Sequence, residues 1–136
     1  MEDKNRIISA TNIIDMARAK IEELQDMEAS YTVIKTFSEM IIKEGKSTDA
    51  IIVSTWMEAI LREANNLASR NQLSPEIARI ARAVETATSV EAIITVLKEE
   101  LPKLDKIIKS LEEELSRKEA QADDAFYNGE GSNKIY

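Results

Sequence analysis

Two acidic clusters are the first features of this chain that could support chemistry. Each places three carboxylates within one turn of a predicted helix: Glu22, Glu23 and Asp26 in the first, and Glu112, Glu113 and Glu114 in the second. Mg²⁺ needs only oxygen ligands, and carboxylates one turn apart on facing helices can hold it for hydrolysis. The paired E-x-x-E and E-x-x-D spacing of such a site is absent here. We therefore interpret both clusters as solvated helix faces, and we predict no metal, no cofactor and no enzymatic activity.

The residue types that the chain lacks exclude several kinds of site. Its 136 residues contain no Cys and no His. Disulfides, thiolate nucleophiles, serine triads with a His base and the usual zinc sites are therefore excluded. The sequence NGEGS contains two glycines but follows the last predicted helix and opens none, so it does not qualify as a phosphate-binding loop.

Basic residues form two short strips that could contact a nucleic-acid backbone. Arg79 and Arg82 lie one helical turn apart, and a second line of lysines steps by three residues. Phosphate contacts of this kind position a nucleic acid without reading its bases. The candidate contact residues are Arg70, Arg79, Arg82, Lys103, Lys106 and Lys109. No aromatic residue is interleaved with them, so a stacking platform is unsupported, and an ordinary charged surface is the simpler interpretation.

The last fourteen residues, DDAFYNGEGSNKIY, contain two of the three glycines and three of the six aromatic residues of the chain. Asn128 and Gly129 form a turn signal, which predicts an irregular C-terminal tail over 123–136. Aromatic side chains are favoured anchors at interfaces. We predict that the tail contacts a neighbouring subunit, with docking on its own bundle as the alternative. The predicted interface residues are Phe126, Tyr127, Ile135 and Tyr136.

The elements that must position these residues are all predicted to be helices. The first segment repeats apolar residues every seven positions, which predicts an amphipathic helix over about 5–27. The repeat has two positions, Ile7, Ile14 and Ile21 in one and Ala10, Ala17 and Leu24 in the other. A second helix is predicted over about 30–44, with Gly45 after its end.

Three further helices follow. Asp49 is one of three possible N-caps for a central helix, and Ser74 with Pro75 begins a short helix that ends near residue 87. A capping box from Thr88 to Glu91 is predicted to open the last helix. The apolar spacing of that helix continues in register across Pro102, which favours a kink over a break.

Doubled isoleucines widen the apolar faces of these helices. They occur at 7–8, 13–14, 41–42, 51–52, 93–94 and 107–108. Adjacent residues on a helix point about 100° apart, so a doubled Ile extends the apolar face beyond one seam. Helices of this kind need neighbours on two sides, either within one bundle or across subunits.

The predicted fold is all-α. We expect a single helical bundle of about five helices over 1–122, with long first and last helices packed together, and the irregular tail over 123–136. Three Gly and two Pro are few, and 43% apolar with 32% charged residues suits a packed helical protein.

Charge and hydropathy bear on the compartment and the partners. The net charge of −7 disfavours nonspecific electrostatic binding to nucleic acid or to an anionic membrane. No stretch approaches the roughly 18 apolar residues that span a bilayer. The N-terminal sequence MEDKNRIISA has no apolar core of a signal peptide. We therefore expect an intracellular protein, cytoplasmic or in a particle assembled inside a cell.

The leading functional hypothesis is a non-catalytic structural or assembly protein. It would be a helical-bundle subunit of a particle, filament or multi-subunit complex, with copies of itself or other subunits as partners and the tail as a contact. The alternative is a small helical subunit of a nucleoprotein complex, of the general character of CRISPR effector small subunits, that contacts the nucleic-acid backbone through the basic strips. An acidic inhibitor that mimics nucleic acid is less favoured, because the negative charge is dispersed.

Overall fold

A computed structural model describes the backbone of residues 2–134 and the side chains of residues 13–122. This part of the chain forms α-helices and no strand, which confirms the predicted all-α class. The described helices are α1 (Glu2–Glu44), α2 (Ala50–Ser69), α3 (Pro75–Thr86) and α4 (Val90–Lys134). There are thus four helices in the described chain, and the prediction of about five was wrong.

The difference arises in α1, which joins the two helices predicted over about 5–27 and 30–44. Residues 27–30 contain neither Gly nor Pro, so nothing interrupts the backbone hydrogen bonds there. The helix ends at Glu44, immediately before Gly45 as expected. Gly45 does not have a positive φ. It is needed for space, because a Cβ atom at this position would clash with the carbonyl oxygen of Ile41.

Side-chain caps determine where the other helices begin. The Asp49 carboxylate accepts a hydrogen bond from the Ile51 amide at 2.8 Å, and the Ser74 hydroxyl accepts one from the Ile77 amide at 3.2 Å. The cap at Ser74 was predicted, and Asp49 was one of the three candidates for the other. The capping box at Thr88 was misplaced by one residue, since Ser89 Oγ accepts from the Ala92 amide at 3.2 Å and α4 begins at Val90.

The helix α4 is continuous where two interruptions were considered. It runs through Pro102 without ending, in agreement with the in-register apolar spacing on both sides. It also continues through Lys134, so the backbone is helical over 123–134, where an irregular tail was expected. No Pro occurs in that stretch. Gly129 and Gly131 each cost about 1 kcal/mol relative to Ala, but extending an existing helix requires no new nucleation.

The described chain divides into two compact units, one of which is Met27–Ser110. It contains the second part of α1, all of α2 and α3, and the first part of α4. Its core is formed by apolar residues that recur at helical spacing along these helices. The core side chains include Ile34, Ile41, Val53, Trp56, Ile60, Leu67, Ile77, Ile80, Val84, Ile93, Leu97, Leu104 and Ile108.

Tyr31 joins α1 to the loop between α2 and α3. Its side chain is only 1% exposed, and its hydroxyl donates a hydrogen bond to the carbonyl oxygen of Gln72 at 2.8 Å. Burial, which disfavours the phenolate, raises the pKa of Tyr31 above the usual value of a tyrosine.

The substitution Tyr31→Phe is expected to lower the free energy of unfolding by about 1–2 kcal/mol, because it removes the hydroxyl that donates to the part-buried carbonyl of Gln72. Urea unfolding monitored by far-UV circular dichroism measures this loss. Stability equal to that of the parent chain would mean that the hydrogen bond contributes nothing.

The same substitution tests the titration of Tyr31. Because the pKa of Tyr31 is raised in the folded state, its contribution to stability is fully present below the unfolded-state pKa of about 10. That contribution is lost as the pH rises above this value. The stability of the parent chain should therefore fall with pH above about 10 more steeply than that of the Phe variant. Parallel pH profiles of the two proteins would contradict this assignment.

Candidate functional site

The second compact unit is formed by the two ends of the chain, Met1–Asp26 and Leu111–Tyr136. It contains only the first part of α1 and the last part of α4. The described contacts between them include a hydrogen bond from Gln25 Nε2 to Glu119 Oε1 at 3.4 Å. Leu24, Leu111 and Leu115 are its buried side chains within the described residues.

Burial along the predicted heptad of α1 decreases towards the start of the helix. Leu24 is 5% exposed and Ile21 is half-buried, whereas Ile14 is 42% exposed. The predicted heptad of α1 is therefore well covered at Leu24 and partly open at Ile14.

Large apolar side chains are consequently left open to solvent on this part of α1. Ile13 is 67% exposed and Met16 is 70% exposed. Together with Ile14 they form a surface that we name the α1 apolar face. Complete burial of side chains of this size is worth about 1.5–3 kcal/mol each. The sequence placed Ile14 in a buried seam, and the structure leaves it partly uncovered.

The two predicted basic strips meet at a buried carboxylate. Arg79 Nη1 lies 2.8 Å from Glu100 Oε1, and Lys103 Nζ lies 3.5 Å from the same oxygen. Glu100 is 1% exposed, while the side chains of Arg79 and Lys103 are 66% and 55% exposed. The hydrogen bond to Glu100 raises the pKa of Arg79. One residue from each strip therefore belongs to a single charged cluster.

The remaining predicted basic residues are exposed and lie outside this cluster. Arg82 lines a cleft between α3 and α4 of about 340 Å³, which Arg79, Glu99 and Glu100 also line. Arg70 is the C-cap residue of α2. Lys106 and Lys109 lie further along α4.

Glu100 was not identified from the sequence, although a signal for it exists. It lies three residues after Leu97 and four before Leu104, both of which are fully buried. This spacing places Glu100 on the apolar face of α4. A carboxylate at such a position requires a partner, which could have been sought among the neighbouring basic residues.

Replacing Glu100 by Met is expected to raise the free energy of unfolding by about 1 kcal/mol, since a buried carboxylate is costly and a methionine of similar volume is not. Glu100 Oε2 is buried without a hydrogen-bond partner in the described chain. Arg79 and Lys103 are exposed enough to remain hydrated after the change.

Thermal and urea denaturation measure this gain, with Glu99→Met as the control. Glu99 is the exposed neighbour on the same helix, and we expect a change within about 0.5 kcal/mol there. A clear loss of stability in the Glu100 variant would mean that the charged cluster stabilises the fold.

The other predicted site residues fall into two groups. Phe126 and Tyr127 lie on the helical backbone of α4, but their side chains lie outside the described residues, as do Ile135 and Tyr136. The acidic clusters are largely solvent-exposed, and Glu23 lies 3.4 Å from Lys20. Among the described side chains, no group of three or more His, Cys, Asp or Glu residues is arranged to hold a metal ion.

The fold and these surfaces define an all-α protein with long helices and a partly uncovered apolar face. Over the described residues, no helix has the length and apolar character needed to cross a membrane. No protein family matches the chain, and no curated protein or solved structure shows significant similarity to it.

Proposed function

We propose that this protein is a non-catalytic assembly protein, a helical subunit of a larger particle, filament or multi-subunit complex. The observation that carries this proposal is the α1 apolar face, where Ile13 and Met16 are 67% and 70% exposed. Exposed apolar side chains clustered on one helix are typical of protein contact sites.

The composition of the unit formed by the chain ends supports the same conclusion. Two helical segments can bury only the stripe along which they meet, and a wider apolar face needs a third helix. The doubled isoleucine at 13–14 widens the face of α1 in this way. The partner that fits is another amphipathic helix, supplied by a second copy or by a different subunit.

The C-terminal segment is the second contact in this proposal. Phe126, Tyr127, Ile135 and Tyr136 concentrate aromatic and apolar residues in a polar stretch of sequence. Aromatic residues are enriched at the centres of protein interfaces. We assign these four residues to an inter-subunit contact.

The test is the molar mass in solution of the full chain and of a truncation ending at Gln121. Size-exclusion chromatography with light scattering should give a mass above that of the monomer for the full chain. The truncation should form assemblies with fewer copies of the chain. Circular dichroism of both proteins checks that the helices persist. A monomeric full chain at the highest soluble concentration would contradict self-assembly.

A second candidate function is backbone contact with nucleic acid within a complex. The observation that favours it is the convergence of Arg79 and Lys103 on Glu100, which unites the two basic strips on one surface. The exposed residues Arg82, Lys106 and Lys109 would extend that surface, while other subunits supply affinity.

Fluorescence anisotropy with a labelled RNA and a labelled DNA at several salt concentrations tests this candidate. The triple variant Arg82→Gln, Lys106→Gln, Lys109→Gln should weaken binding and lower its salt dependence. Lys20→Gln, Lys43→Gln, Lys46→Gln removes the same charge elsewhere and serves as the control. Equal binding by both variants would exclude nucleic-acid contact through these three residues. The dispersed negative charge gives no reason to propose a nucleic-acid mimic.

A further inference from the structure

We infer that the C-terminal segment of one copy, residues 123–136, docks into a cleft at the start of α2 and α4 of a second copy. This inference rests on the proposed assembly function and adds the surface that receives the segment. The cleft has a volume of about 470 Å³. That volume lies within the range of about 300–1,000 Å³ typical of ligand pockets in proteins.

The cleft lies within the Met27–Ser110 unit and is largely apolar. Ala50, Val53 and Met57 recur on one side of α2, and Val90 contributes from the first turn of α4. Met57 and Val90 are only half-buried although both are apolar. Apolar surface of this kind suits the aromatic side chains that the C-terminal segment contains.

Two exposed isoleucines lie on the same turn of α2, outside the lining of the cleft. Ile51 is 77% exposed and Ile52 is 48% exposed. They directly follow Ala50 in the sequence. This is the second place in the described chain where a doubled isoleucine is left open to solvent, after Ile13 and Ile14.

The cleft and the end of the segment each carry a pair of residues of opposite charge. Lys46 and Glu91 are exposed residues of opposite sign that line the cleft. Glu130 and Lys134 are residues of opposite sign one helical turn apart in the segment. Lys46 facing Glu130 and Glu91 facing Lys134 would fix the direction in which the segment lies.

The occupant of the cleft is the segment of a second copy, as the proposed self-assembly requires. A contact between two different surfaces of identical chains is heterologous and can continue from copy to copy as an open filament.

Sedimentation velocity of the full chain over a range of concentrations tests this docking. The parent protein should grow in mass as its concentration rises. In the variant Ala50→Trp, the new side chain fills the cleft, and growth should stop at a fixed mass. Asn66→Trp, an exposed position on another side of α2, is the control and should behave as the parent.

A direct binding assay uses a fluorescein-labelled peptide of residues 121–136 and the full-length protein. Fluorescence anisotropy should show binding to the parent chain and at least about tenfold weaker binding to Ala50→Trp, since the peptide loses the apolar surface it needs. The pair Glu91→Lys with Lys134→Glu provides a second test. Glu91→Lys alone should reduce growth, and the added Lys134→Glu should restore it.

The outcomes separate this inference from the proposed function. If the parent and Ala50→Trp grow alike and the peptide binds both equally, the segment does not dock in this cleft, although assembly itself stands. If the parent remains a monomer at every concentration and binds no peptide, both the docking and the proposed self-assembly are wrong.

Discussion

The double variant Ile13→Glu, Met16→Glu is expected to weaken self-association by a factor of about 100 or more. Burying side chains of this size is worth about 1.5–3 kcal/mol each, and their loss together corresponds to at least two powers of ten in the dissociation constant. A carboxylate placed in an apolar interface adds a desolvation cost. Light scattering and sedimentation measure the change.

The fold of this variant should be unaffected, because both positions are largely exposed in the isolated chain. The matched control is Thr55→Glu, Asn66→Glu, which adds the same two charges at exposed positions of α2. It should associate as the parent does, because it changes the net charge and leaves the α1 apolar face intact. Equal association by both double variants would show that the α1 apolar face is not the contact.

The substitution Ile60→Ala is expected to give the largest loss of stability, about 2–5 kcal/mol. Ile60 is fully buried at the centre of α2, so truncation leaves a cavity in addition to the lost apolar contacts. A domain of this size has a total stability of about 5–15 kcal/mol, and the variant should unfold at a much lower urea concentration.

The control for this prediction lies on the same helix. Ile51 is 77% exposed, and Ile51→Ala should change the stability by less than about 0.5 kcal/mol. Urea unfolding monitored by circular dichroism compares the two variants directly. Similar losses at both positions would mean that Ile51 is covered in solution, which would itself indicate association.

Much of the helical structure could be predicted because it depends on neighbouring residues. The caps at Asp49 and Ser74 and the end of α3 follow from hydrogen bonds that span two to four residues. The number of helices was overestimated because the heptad repeat was followed only to about residue 27 and a second helix was predicted from about residue 30. Tyr31, Ile34 and Ile41 all lie in the core on one face of α1, so the helix continues without interruption there.

The candidate surfaces were only partly predictable. The heptad of α1 indicated an apolar stripe, but its exposure depends on which residues of α4 lie beside it, about a hundred positions away in the sequence. The basic strips were recognised, whereas the carboxylate that joins them was not. Glu100 binds Arg79 across the space between two helices, and no local spacing specifies that distance.

By itself, the amino-acid sequence determined that this protein is helical, where α2 and α3 begin, where α1 and α3 end, and that it lacks the Cys and His chemistry of many enzymes. These properties depend on composition and on contacts within one helical turn. Only the tertiary structure decided that Ile13 and Met16 remain exposed, that Glu100 is buried between cations, and that an apolar cleft opens beside Ala50. Exposure and pairing depend on side chains brought together by folding from distant parts of the chain.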